Sequence, residues 1–168
     1  MDDHVEVAIL AGGCYWIMQE SLRHREGVIS TRVGWTGGDD EAPSDEDNKG
    51  HAESTEVIFD THRLSFKELL EVYLRFHRPD LSMDVVGSAY RSEVFYTNDE
   101  QRRVAEETIP EVSALQLFPG DFVTKVTPAG AFWEADAEDQ DYFQHLSPTP
   151  HRDGLTFPLG GTRSAAGT

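Results

Sequence analysis

The stretch Val5-Glu6-Val7-Ala8-Ile9-Leu10-Ala11-Gly12-Gly13-Cys14-Tyr15-Trp16 decides how the chain is read. The apolar run over 5–10 has the composition of a buried strand, and residues 15–23 have that of a helix ended near Gly27. Between them, two glycines allow a tight turn in which backbone can approach a ligand closely. The chain's single cysteine sits at that junction. A thiol in the first turn of a helix meets unpaired N–H groups and the positive end of the helix dipole, and both favour thiolate. A lone cysteine is also a common small apolar core residue, so the junction by itself leaves a reactive and an inert Cys14 both open.

Working outward, a second strand is expected over 28–35 and its return partner over 54–59. Gly37, Gly38 and the acidic residues up to Gly50 make a long loop between them. Ser65-x-x-Glu68 is a capping box, and Phe66, Leu69, Leu70, Tyr73 and His77 recur at helical spacing. A helix is therefore expected over 66–77, stopped by Pro79. A strand over 91–96, a helix begun by Asn98 and running towards Pro110, a strand over 122–127 and a short acidic helix over 135–146 follow. Residues 147–168, rich in Pro and Gly, wrap or trail. The order β-α-β-β-α-β-α-β implies an α+β fold, a two-layer sandwich of a mixed β-sheet and helices built on a ferredoxin-like split βαβ unit. A chain of 168 residues suits one domain, expected over 1–160 with a flexible tail over 161–168.

Lys plus Arg number 14 and Asp plus Glu 31, a net charge of −17, which excludes a general nucleic-acid or anionic-membrane surface. So acidic and lysine-poor a composition suits a halophilic protein, kept soluble where salt screens its self-repulsion. No apolar run approaches the roughly 18 residues of a membrane span, and the first residues lack a secretory pattern, so a cytoplasmic location is expected. One cysteine can make neither an internal disulfide nor a four-cysteine zinc site, and it has no resolving thiol, so any redox cycle needs an external partner. The seven histidines show no spacing such as His-x-x-x-His, and neither a metal nor another cofactor is expected.

Three further segments carry candidate chemistry. Tyr15, Trp16 and Trp35 are ordinary core aromatics by type, but beside a nucleophile they would wall a small apolar pocket. Glu53, in Gly50-His51-Ala52-Glu53, is a loop exit residue that would have its pKa raised in such a pocket and could act as a proton donor. His51-x-Glu53 also occurs in nucleobase deaminases, whose Pro-Cys-x-x-Cys partner a single-cysteine chain cannot supply. Tyr90, in Gly87-Ser88-Ala89-Tyr90-Arg91-Ser92, could turn its hydroxyl to a polar substrate atom.

Taken together, Gly13-Cys14-Tyr15-Trp16, the run from Val28 to Gly38, Gly50-His51-Ala52-Glu53 and Tyr90-Arg91-Ser92 resemble the peptide methionine sulfoxide reductase A family in order and spacing over residues 5–127. The resemblance implies that Cys14 is the nucleophile, Glu53 the acid that protonates the sulfoxide oxygen, and Tyr90 a hydroxyl bonded to that oxygen. It implies that Tyr15 and Trp16 hold the methyl group, and that Trp35, His51 and Asp84 complete the substrate-binding set. The implied substrate is the S epimer of methionine sulfoxide, in oxidised proteins or free, reduced through a Cys14 sulfenic acid. The implied partner is an external thiol reductant, whether thioredoxin, glutaredoxin or a small thiol, and the chain is expected to act as a monomer. Departures fall at Trp35, where the family has Tyr, and at Val85, where it has Asp, with Asp84 one position earlier. The family's Ala-Glu-x-Tyr-His-Gln motif becomes Ala137-Glu138-Asp139-Gln140-Asp141-Tyr142, and its cysteine-bearing tail is absent. Two other readings are a degenerate member that binds methionine-like side chains without turnover and a Cys14-based redox sensor.

Overall fold

The first strand, β1 (Val5–Ala11), is apolar on both faces because both are covered. In the computed structural model, which describes residues 3–44 and 46–146, Ala8 and Leu10 point into one core with Met18, Leu22, Phe59, Leu70 and Val94. Ile9 and Ala11 point the opposite way, against Ala52 and Phe95. The remaining strands are β2 (Val28–Thr36), β3 (Ala52–Asp60), β4 (Glu93–Tyr96), β5 (Lys125–Pro128) and β6 (Trp133–Glu134). They form one sheet in the order β5-β4-β1-β3-β2-β6. Among the described residues only β4 and β5 pair in parallel. The inner order β4-β1-β3-β2 is that of a split βαβ unit, so the expected α+β class and its ferredoxin-like kernel hold. β5 and β6 extend the kernel at its two edges.

The helices are α1 (Tyr15–Arg23), α2 (Phe66–Tyr73), α3 (Met83–Val86), α4 (Asp99–Ser113) and α5 (Tyr142–Leu146). Two caps follow the sequence: the Ser65 hydroxyl and Glu68 carboxylate exchange backbone bonds at 3.0 and 2.9 Å, and Asn98 accepts from the Gln101 N–H at 2.8 Å. Four expectations change. α2 ends at Tyr73, not His77, because the turn tightens and the His77 imidazole itself meets the Tyr73 carbonyl at 2.9 Å. α4 runs through Pro110, whose ring faces solvent, so the carbonyl it leaves free can be hydrated. The strand expected from Phe122 starts at Lys125, since Phe122 and Val123 give their N–H groups to Ser113 and Pro79. The helix expected over 135–146 is broken by Asp141, whose φ of 55° is left-handed, into a short 3₁₀ turn and α5. The expected domain end near 160, the tail and the Pro/Gly-rich stretch from 147 lie outside the described residues.

Gly12 lies where backbone and imidazole touch: a Cβ there would stand 2.8 Å from Cγ and Cδ2 of His77. His77 cannot retreat, since Nδ1–H donates to the Tyr73 carbonyl and Nε2 meets the Ser92 hydroxyl at 2.7 Å. Gly12→Ala should therefore destabilise the fold by about 1–3 kcal/mol, the usual cost of overpacking. A urea midpoint that falls with unchanged slope would show it, and an unchanged midpoint would count against this contact.

Candidate active site

The end of β1 and the start of α1 present Cys14. Gly13, at φ 74°, turns the chain, and its N–H donates to the Tyr90 carbonyl at 3.2 Å, tying the turn to the 3₁₀ segment Ser88–Tyr90. Cys14 is the N-cap residue of α1 and is partly buried. Its thiol does not behave as the sequence alone implies. The N–H groups of Trp16 and Ile17 do favour the anion, but burial outweighs them and the charges of Glu53 and Asp139 act in the same direction as burial, so the pKa is raised. The site thereby biases Cys14 towards its thiol form.

β3 places Glu53 opposite Trp35 of β2, and its Oε1 accepts the Tyr15 N–H at 2.9 Å. Burial raises the Glu53 pKa, and the nearby Asp139 charge adds to it against that hydrogen bond. The Tyr90 hydroxyl is within reach of the charges of both Glu53 and Cys14, which with burial raise its pKa, and its side chain is 44% exposed. Cys14, Glu53 and Tyr90 are thus brought together from three separate segments. A cavity of about 250 Å³ opens on Cys14, lined on its apolar side by Ile17, Phe76, Leu81, Val86 and Tyr90.

The aromatic set forms a separate cluster. Tyr15 is buried edge-on against Trp35, ring centroids 5.7 Å apart, and packs with Val33 and Ala135. Trp16 stacks flat on Tyr142 at 3.6 Å, and its indole N–H donates to Asp139 at 3.1 Å.

Two expected substrate contacts are corrected. His51 is buried, with Nδ1 accepting the Gly38 N–H at 2.9 Å and Nε2 on the Glu41 carbonyl at 2.8 Å, so both ring nitrogens shape the 37–50 loop and neither is left for a substrate. Asp84 sits exposed on α3 and does not line the cavity, where Val86 takes a place instead. The residue that sequence reasoning missed is Asp139. It stands beside Tyr15, Trp16, Cys14 and Glu53 at once, yet it lies in a segment read only as a blurred motif.

Cys14 and Tyr90 line one largely apolar opening and the Glu53 carboxyl, its pKa raised, lies close to both, an arrangement suited to the thiol-dependent oxidoreductases. The sequence model described as peptide methionine sulfoxide reductase matches residues 6–153. A peptide methionine sulfoxide reductase MsrA of Nocardia farcinica is 51% identical over 138 residues, covering 80% of this chain and 81% of the relative. One from Leifsonia xyli is 48% identical over 169 residues, covering 96% and 98%. Among solved structures, methionine sulfoxide reductase A of Corynebacterium diphtheriae superposes with a TM-score of 0.71 at 25% identity, over 91% of this chain and 80% of that one. Mxr1 from Saccharomyces cerevisiae in complex with Trx2 shares the fold with a TM-score of 0.56 at 22% identity, over 84% and 87%. The chain belongs to the peptide methionine sulfoxide reductase family and reduces methionine sulfoxide to methionine.

Because the Asp139 charge opposes ionisation of both Cys14 and Glu53, Asp139→Asn should lower both pKa values. The rate of Cys14 alkylation by iodoacetamide, followed against pH, should move its midpoint down. A midpoint that stays in place would show that this charge does not reach the thiol.

Proposed function

We propose that the chain reduces the S epimer of methionine sulfoxide, in peptides or free, with Cys14 as nucleophile, Glu53 as acid and Tyr90 as hydrogen-bond donor to the sulfoxide oxygen. The observation that carries the reading is that Cys14 and Tyr90 line one opening while the Glu53 carboxyl lies close enough for its charge to act on both. A sulfoxide oxygen is a poor leaving group until protonated, and the raised pKa of Glu53 keeps a proton available for it. Where Glu53 holds its proton, Cys14, with its pKa raised, holds its own as well, so the thiol gives up its proton in the course of the attack. Turnover should thus fall as the pH rises through the raised pKa of Glu53, where the acid has lost its proton.

The Cys14 sulfur attacks the sulfoxide sulfur and an S–S bond forms as the protonated oxygen leaves as water; a water then adds to the Cys14 sulfur, the S–S bond breaks and methionine departs. Cys14 is oxidised by two electrons to sulfenic acid and the sulfoxide is reduced by two. An external thiol then condenses with the sulfenic acid, releasing water and leaving a mixed disulfide that a second thiol opens. The Mxr1 complex with Trx2 supports a thioredoxin-type donor, and a glutaredoxin or small thiol would serve the same chemistry. Among the described residues no helix is long and apolar enough to cross a membrane, and the acidic composition supports a monomer at work in a salt-rich cytoplasm.

Cys14→Ser should abolish turnover. In the parent chain without reductant, a single turnover should release about one methionine per chain and leave Cys14 trappable by dimedone, because no second thiol competes. Full methionine release with Cys14 unmodified would exclude Cys14 as electron source, and tight binding without release would favour a non-catalytic binder. Glu53→Gln should slow the chemical step by roughly 10²–10⁴ with little change in substrate binding, and the loss should shrink at low pH, where solvent protonates the oxygen. A mutant as fast as the parent would remove Glu53 from the acid role.

A further inference from the structure

His4, Asp60 and His62 meet at the end of β1 remote from Cys14, with one ligand atom of each within 4.8 Å of the others. The backbone holds them there. Val5 pairs with Asp60 across β1 and β3, and the Thr61 N–H and hydroxyl both donate to the His4 carbonyl, at 2.7 and 3.1 Å. One carboxylate oxygen of Asp60 accepts the His62 N–H at 2.8 Å, leaving the other free of protein donors among the described residues. The two imidazoles stack with centroids 4.6 Å apart and planes 12° from parallel. Unlike the rings of His51 and His77, neither is hydrogen-bonded to a protein group among the described residues. Backbone bonds hold the three residues side by side, and their two imidazoles and one carboxylate oxygen offer ligand atoms that no protein group among the described residues engages.

Two histidines and one carboxylate are the donor types that first-row divalent ions take. A zinc ion with bonds of about 2.0–2.1 Å would hold its tetrahedral ligand atoms roughly 3.4 Å apart, so closure needs side-chain rotations that draw together ligand atoms lying within 4.8 Å of one another. The geometry points to a binding site for a single divalent transition ion, zinc foremost, formed by His4, Asp60 and His62 and clasping the start of β1 to the turn after β3. Water completes the coordination. The site forms only when the two strands are paired, so the ion binds the folded chain and stabilises it. Six residues of extended strand, roughly 20 Å, separate it from the catalytic turn, so the ion has no part in sulfoxide reduction.

Cys14 and thiol reductants also bind zinc, so the test uses Cys14→Ser protein in reductant-free buffer. Titration calorimetry with zinc chloride should show a single equivalent bound, and thermal unfolding should shift up by roughly 2–6 °C at saturation. His4→Ala and His62→Ala, added singly, should each weaken zinc binding by roughly tenfold or more and remove the shift. The same substitutions in the Cys14 chain should leave sulfoxide reduction unchanged, which separates this site from the catalytic reading. Zinc affinity equal in all three proteins, or no shift at about 1 mM zinc, would overturn it.

Discussion

The position of the nucleophile depends on a chain of buried hydrogen bonds beneath the Gly12-Gly13 turn. The Tyr73 hydroxyl donates to the Ala11 carbonyl at 2.6 Å, taking up the last polar group of β1 before the turn. His77 must be protonated on Nδ1 to reach the Tyr73 carbonyl, so its Nε2 accepts from Ser92, and Ser92 accepts in turn from Thr124 at 2.7 Å. Burial holds the His77 pKa down to about 4, so the ring stays neutral and the directions of these bonds do not change at working pH. α2, β4 and the approach to β5 are thereby coupled to the two glycines that aim Cys14. In a low-dielectric interior such a network stabilises only when every member is satisfied.

Tyr90 is placed by a second buried device. Arg91 pairs with Glu93 at 2.7 Å, and both side chains are almost wholly shielded. The guanidinium also donates to the Ser88 and Gly37 carbonyls, and Glu93 accepts from Thr127. One ion pair therefore joins the 3₁₀ turn carrying Tyr90, the mouth of the acidic loop and the edge strand β5. Removing either partner would leave a buried charge uncompensated, a penalty of about 3–5 kcal/mol. At the opposite edge the side chain of Gln140 imitates a strand, meeting both the N–H and carbonyl of Val33 at 2.8 Å, and so brings Asp139 beside the aromatic cluster.

The reversal at Cys14 shows how local and tertiary electrostatics compete. The helix start does supply N–H groups to the sulfur. Against them stand desolvation and two carboxylates contributed from β3 and the segment after β6, some 39 and 125 positions further along the chain. A thiol held protonated until the reaction draws on it suits a site in which a neighbouring acid must keep its own proton. Asp139 belongs to this balance through its charge and also anchors the Trp16 indole.

Periodicity, capping pairs and glycine placement were legible because they rest on contacts within a few residues. They determined the split βαβ kernel, the starts of α2 and α4, and the junction that carries Cys14. Glu53 and Tyr90 were legible as residues in motifs. His51, Asp84, Asp139 and the His4-Asp60-His62 cluster were not, because a side chain's role depends on what lies opposite it. The buried His51 ring closing a loop, the solvent-facing Asp84, and two strand ends 55 positions apart meeting at Val5 and Asp60 all follow from pairing register and packing. The sequence by itself determined which elements form and which chemical groups are carried. Only the tertiary structure decided which of those groups meet and with what charge, since desolvation and Coulomb interaction depend on distances through space, which spacing along the chain does not set.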